Sequence, residues 1–204
     1  MRRDLPSAGP GLRLFAFPGL VVRGNAGGFF PIGEPSAERQ NRAVHFRDKI
    51  IALDELPGWR AKFRAAGKTL VATNGCFDIL HIGHLTCLEM ARDLGDALLV
   101  GVNGDAAARE LKGRGRPVNS EGDRASVLAG LECVSVVCIF PEITATKFLE
   151  AARPDVYVKG GDYTVETLND SERRAVEEGG GRVQLIPFVP GKSTTALLEK
   201  ISRR

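Results

Sequence analysis

The chain has 204 residues, with 28 Lys and Arg against 25 Asp and Glu and a formal net charge of +3. That length suits one globular domain with room for an appended segment. The longest apolar runs, 97–102 and 134–140, fall far short of the roughly 20 residues that a membrane-spanning helix needs, so no membrane partner is expected.

The small positive excess is local. Before Arg47 stand Arg2, Arg3, Arg13, Arg23, Arg39 and Arg42 against only Asp4, Glu34 and Glu38, which leaves the rest of the chain formally neutral and argues against nucleic acid as a partner. Cys76, Cys133 and Cys138 lie in or beside apolar strand-like runs, as small buried thiols do in a reducing compartment, and this favours the cytoplasm.

Residues 1–46 carry Pro6, Pro10, Pro18, Pro31 and Pro35 among many glycines, with no sustained helix or strand period. They read as a disordered or loosely attached extension: a targeting segment, an arginine-rich leader or the product of a mis-set start. Residues 47–204 form the second unit. Ile50, Ile51, Leu53, Leu56, Trp59 and Phe63 suit a short helix or two before a stop at Gly67.

Strands are then expected over 69–73, 97–103, 134–140, 156–159 and 183–187, with helices over 84–94, 121–131, 144–152, 166–178 and 193–201. Leu85, Leu88 and Arg92 recur at helical intervals, as do Arg124, Val127, Leu128 and Leu131. Short strands separated by helices mean βαβ units. The fold expected is therefore α/β, a doubly wound, Rossmann-like parallel sheet of about five strands with helices on both faces. Such sheets bind ligands outside the carboxyl ends of the strands, where the strand order reverses.

Directly after the first of these strands runs Asn74-Gly75-Cys76-Phe77-Asp78-Ile79-Leu80-His81-Ile82-Gly83-His84. Gly83 lets a phosphate approach the backbone at a helix start, where free N–H groups and the helix dipole favour an anion. His81 and His84 can donate hydrogen bonds to phosphate oxygens whose charge grows as phosphorus becomes five-coordinate. The same stretch admits a zinc reading through Cys76, His81, His84 and Cys87, or a redox-sensing module. The spacing from Cys76 to His81 is unlike that of common structural fingers, and no metal ligand set is assigned.

This segment resembles the HxGH nucleotidyltransferase superfamily, and the likeness extends over residues 49–201. Further along stand Val102-Asn103-Gly104-Asp105, Leu111-Lys112-Gly113, Arg116-Pro117-Val118-Asn119, Asp123-Arg124, Val158-Lys159-Gly160-Gly161-Asp162-Tyr163 and Gly191-Lys192-Ser193-Thr194-Thr195. The ordered set is similar to the adenylyltransferases of the bacterial heptose pathway, which act on D-glycero-β-D-manno-heptose 1-phosphate. The alternative within the superfamily is a cytidylyl- or adenylyltransferase for glycerol 3-phosphate or another phosphorylated small molecule.

The resemblance implies ATP as substrate, Mg2+ held mainly by the nucleotide phosphates, a sugar phosphate as second substrate, a separate heptose kinase in the same pathway, and a homo-oligomer such as a dimer. It implies catalytic roles for His81, His84 and Lys112. Nucleotide binding falls to Cys76, Phe77, Asp78, Gly83, Arg124, Lys159, Gly160, Gly161, Asp162, Ser193, Thr194 and Thr195, and substrate binding to Asn103, Asp105 and Arg116.

Bland roles stand beside several of these. Asp78 orients a histidine or the loop, or is a turn or capping carboxylate. Arg124 faces the triphosphate or is a surface arginine. Ser193, Thr194 and Thr195 cap the last helix or reach phosphate. Related cytidylyltransferases place an arginine several residues before the equivalent of Ser193. This chain has none there, and Lys192 is the cation available to replace it.

Overall fold

The computed structural model describes residues 44–160, 167–187 and 193–203. The extension expected over 1–46 therefore lies almost wholly outside the described residues, as do Gly161, Asp162, Gly191 and Lys192.

After a 3-10 turn at Phe46–Lys49, the elements in chain order are β1 (Ile50–Ile51), α1 (Leu56–Ala65), β2 (Leu70–Gly75), α2 (Ile82–Arg92), β3 (Ala97–Asn103), α3 (Asp105–Lys112) and α4 (Glu121–Ala129). There follow β4 (Val136–Phe140), α5 (Thr146–Ala152), β5 (Val156–Gly160), α6 (Asp170–Glu178), β6 (Arg182–Ile186) and α7 (Thr194–Ser202). Among the described residues no helix is long and apolar enough to cross a membrane.

The six strands are parallel, in the order β1-β4-β3-β2-β5-β6. From β2 the chain builds outward through β3 and β4, then returns to the other side of β2 with β5 and β6. The reversal falls between β2 and β5, so their carboxyl ends, at Gly75 and Gly160, flank the crevice in which such sheets bind ligands.

The strands are apolar on both faces because both faces are covered. Successive residues of β2 divide between two cores, Leu70 and Ala72 on one side and Val71 on the other. The first core is closed by α1, α5 and α6 through Leu56, Phe148, Leu149 and Val176. The second is closed by α2 and α4 through Leu88, Ala91, Ala125 and Leu128.

Two elements depart from the sequence expectation. Ile50 and Ile51 form an edge strand beside Val137 and Cys138, not part of a helix, because β-branched residues fit the free edge of β4. The segment after Asn103 is a helix, α3, driven by Ala106, Ala107 and Ala108 after the Gly104 cap. Helix bounds otherwise shift by a few residues, most at α6, which starts at Asp170 behind an Asn169 side chain that accepts from the Ser171 and Glu172 amides.

Helix α5 approaches β3 closely at Gly101. A Cβ there would lie 2.8 Å from the Phe148 ring and 3.1 Å from Phe140. Gly101→Ala is expected to destabilise the domain by about 1–3 kcal/mol through overpacking, read as a lower urea midpoint with an unchanged m-value.

Candidate active site

The chain leaves β2 through a sharp reversal. Phe77 adopts a left-handed backbone, φ 45°, a conformation that costs a non-glycine residue about 1–3 kcal/mol and persists where its surroundings hold it. The turn folds the Phe77 ring back over Gly75, where an added Cβ would stand 3.2 Å from it. Helix α2 then starts behind the extended residue His81. Its first two amides, Ile82 and Gly83, donate to no group among the described residues, whereas His84 N–H already donates to the His81 carbonyl at 2.9 Å, and the helix dipole adds partial positive charge at that end.

His81 and His84 stack with ring centroids 3.9 Å apart, and Phe77 meets His84 edge-on at 5.5 Å. The His81 backbone N–H donates to His84 Nδ1 at 3.4 Å. An accepting Nδ1 leaves the neutral ring's hydrogen on Nε2, which becomes the donor for a ligand. Burial, then the neighbouring His81 and Lys112, lower the His84 pKa from 6.5 to about 4, so the ring is neutral near pH 7.

Asp78 is a buried carboxylate that ties two loops together. It accepts from the Val118 and Asn119 amides at 2.8 and 3.0 Å and pairs with the Arg116 guanidinium, while the Asn119 side chain donates to the Asp78 carbonyl at 2.7 Å. Burial pushes its pKa up, but the Asn119 amide, Arg116 and the Val118 amide outweigh that and hold it below the ordinary carboxylate value. Of the alternatives read from the sequence, Asp78 orients the loop and makes no bond to either histidine.

Two adjoining cavities open at the carboxyl ends of β2 and β5. The first, about 360 Å³, is bordered by Cys76, Phe77, Asp78, His81, Gly83 and His84. Lys112, Arg116, Gly160, Ser193, Thr194 and Thr195 complete it on the other sides. The second, about 460 Å³, shares Asn74, Gly75, Cys76, Lys112 and Gly160 with the first and adds Asn103 and Lys159. Thr194 donates to the Ile79 carbonyl at 3.2 Å, drawing the start of α7 onto the β2–α2 turn. An added Cβ on Gly160 would collide with Cys87 Sγ, so a side chain there would force that thiol to turn aside.

Several residues stand elsewhere than the sequence reading put them. Arg124 borders neither cavity: it is buried, and its guanidinium donates to the Cys76, Asn103 and Asn119 carbonyls and pairs with Asp105 at 2.8 Å. With each of its nitrogens bonded, this guanidinium acts as a strut behind the site. Asp105 pairs with Arg124 through one carboxylate oxygen, and the Asn103 amide donates to the Glu142 and Ile143 carbonyls. Arg116 borders the histidine cavity, apart from Asn103, and Lys159 turns into the second cavity, away from the histidines.

The second cavity contains residues that received no role from the sequence. Asn74 was visible only as the start of the motif. Glu172, at 5% exposure, accepts from the Ala145 amide, the Tyr157 hydroxyl and Lys159. Burial raises its pKa, but Lys159, the Ala145 amide and the Tyr157 hydroxyl together bring it below the ordinary value. Its spacing from Asn169 matches a helix capping box, a pattern that points to a local role and hides the long-range one.

Among the described residues no group of three or more His, Cys, Asp and Glu converges to hold a metal ion. Burial also raises the Cys76 and Cys87 thiols, which keeps them protonated and poor ligands.

Comparison with known proteins agrees with this geometry. The cytidylyltransferase-like family matches residues 72–197. The bifunctional protein HldE of Geotalea uraniireducens is 51% identical over 153 residues, which is 75% of this chain and 31% of that protein. HldE of Campylobacter fetus is 50% identical over 156 residues, 76% of this chain and 32% of its own length. The chain thus spans about a third of the length of these relatives. Among solved structures, a lipopolysaccharide core biosynthesis protein from Thermoplasma volcanium superposes with a TM-score of 0.51 at 27% identity, covering 60% of this chain and 98% of that one.

Two outcomes follow from the site's electrostatics. The folded pKa of His84 lies below its unfolded value, so between 6.5 and about 4 the unfolded chain binds the extra proton; stability is full above 6.5 and falls as pH drops toward 4. His84→Gln should flatten that part of the stability–pH curve in chemical denaturation. Asp78→Ala, which strands a part-buried guanidinium and two amides, should cost about 3–5 kcal/mol in the same measurement.

Proposed function

Because the chain belongs to the cytidylyltransferase-like family of nucleotidyltransferases, we propose that it transfers AMP from ATP to D-glycero-β-D-manno-heptose 1-phosphate, giving ADP-heptose and pyrophosphate. The observation that carries this reading is the pair of cavities that meet at Lys112 and Gly160, one lined by the two histidines and the start of α2, the other by neutral and charged hydrogen-bonding groups. The ordered motifs similar to heptose 1-phosphate adenylyltransferases support the choice of nucleotide and sugar.

A phosphate oxygen of the sugar attacks the α-phosphorus, a new P–O bond forms, and the bond from the α-phosphorus to the bridging oxygen breaks with its electron pair leaving on pyrophosphate. No protein nucleophile is needed. His84 Nε2–H donates to an α-phosphate oxygen as its charge grows, and the His81 ring stacked on it fixes its plane. Lys112, shared by both cavities, places one positive charge between the two phosphorylated substrates. Gly83 and the first amides of α2 receive the polyphosphate.

Mg2+, if bound, would be held mainly by the nucleotide phosphates, as suits an ion that keeps its waters, and would neutralise charge on the leaving pyrophosphate. A sugar kinase must supply the acceptor. The setting is the cytoplasm, where ATP is available, and the working unit is a dimer, with residues 1–46 outside the catalytic domain.

Pyrophosphate release measured across ATP and CTP with heptose 1-phosphate and glycerol 3-phosphate tests the reading. ATP with heptose 1-phosphate should be the fastest pair, and turnover confined to CTP with glycerol 3-phosphate would overturn it. His84→Ala is expected to lower kcat on the order of a hundredfold or more; near-normal turnover contradicts its role.

A further inference from the structure

On the floor of the second cavity the hydrogens can be counted. Lys159 Nζ lies 2.9 Å from the Asn74 side-chain oxygen and 2.9 Å from Glu172 Oε2. The Tyr157 hydroxyl lies 2.6 Å from the same Asn74 oxygen and 2.9 Å from the same carboxylate oxygen. A lysine ammonium has hydrogens to donate and no lone pair, so the amide atom that faces it must be oxygen. A flipped amide would press NH2 against NH3+. Tyrosine has one hydroxyl hydrogen and gives it to Asn74 or to Glu172, whereas the ammonium serves both at once.

The consequence appears at the other branch of the amide. Asn74 Nδ2 carries two hydrogens, donates to no group among the described residues, and is not sealed from solvent. Asn74 borders both cavities. A phosphorylated acceptor lying in the second cavity must bring its phosphate to this border to reach an α-phosphorus held beside the histidines.

We infer that Asn74 is the residue that receives the acceptor's phosphate, its NH2 held toward the cavity border by Lys159, with Glu172 as the positioning residue that holds Lys159 in place. This rests on the reading of the chain as a nucleotidyltransferase with a phosphomonoester acceptor. The geometry favours an anionic oxygen at Nδ2, a pure donor, and Glu172 keeps the Lys159 charge from being drawn out of the floor onto the acceptor.

Asn74→Asp tests it with little change of shape. One carboxylate oxygen still accepts from Lys159 and Tyr157, while the other replaces the donor with negative charge. The KM for heptose 1-phosphate should rise on the order of tenfold or more, as for a lost hydrogen bond to a charged group, with the KM for ATP within about threefold of the wild type. An unchanged acceptor KM, or an equal rise in both, overturns the inference. Glu172→Gln should raise the acceptor KM in the wild-type background and add nothing to Asn74→Asp, since a carboxylate has no orientation to lose; additive effects overturn the positioning role.

Urea midpoints report whether each variant folds. Should the aspartate variant not fold, Asn74→Ser, whose hydroxyl can turn to Lys159, carries the same expectation. If the wild type releases pyrophosphate only with glycerol 3-phosphate, the heptose reading fails, and the same split of KM values is read with that acceptor. If it turns over neither, both readings fall.

Discussion

The site depends on one buried carboxylate. Asp78 accepts two backbone amides from the loop at residues 118 and 119 and pairs with Arg116. It thereby joins the turn after β2 to the segment between α3 and α4, two stretches about 40 residues apart that regular secondary structure does not hold. Arg124 does the complementary work from behind, a buried cation gathering the carbonyls of Cys76, Asn103 and Asn119. Each charge is stable in a poorly hydrated place only because the other loops bring it enough partners. The loops in turn stay in place because the charges are there.

That arrangement bears on catalysis through preorganisation. Donors aimed at a phosphorus centre help most when they do not reorient as charge develops. The left-handed Phe77 holds the turn in its reversed path, the ring stack fixes the two imidazoles, and the bond into His84 Nδ1 directs Nε2–H outward. Burial keeps His84 uncharged near neutral pH. A second cation beside Lys112 would be repelled in the empty site, whereas a neutral ring donates without that penalty.

The two cavities divide the labour between the ends of two strands. β2 ends at the histidine turn, β5 ends at Lys159 and Gly160, and the reversal of strand order between them creates the space. Gly160 borders both cavities, and Lys112 reaches both from the last turn of α3. The polar floor of Asn74, Tyr157, Lys159 and Glu172 gives the second cavity a fixed pattern of donors and acceptors instead of a plain apolar wall.

Local pattern sufficed for a good deal. Short apolar runs alternating with helical stretches announced βαβ units and hence parallel strands. The spacing of His81, Gly83 and His84 after β2 marked the start of a helix, because periodicity and the polarity of a helix end act over a few residues. The tertiary structure decided what depends on partners distant in the chain. From the sequence Arg124 reads as a triphosphate-facing or a surface arginine and Asp78 as a loop-orienting or capping carboxylate; in the fold most of their partners lie 19 to 48 residues away, and both belong to the scaffold. Glu172 received no role from the sequence, and α6 packs it against Tyr157 and Lys159. Which charged side chain faces a ligand and which one braces the wall is set by the desolvation and pairing that folding imposes, and no sequence spacing encodes it.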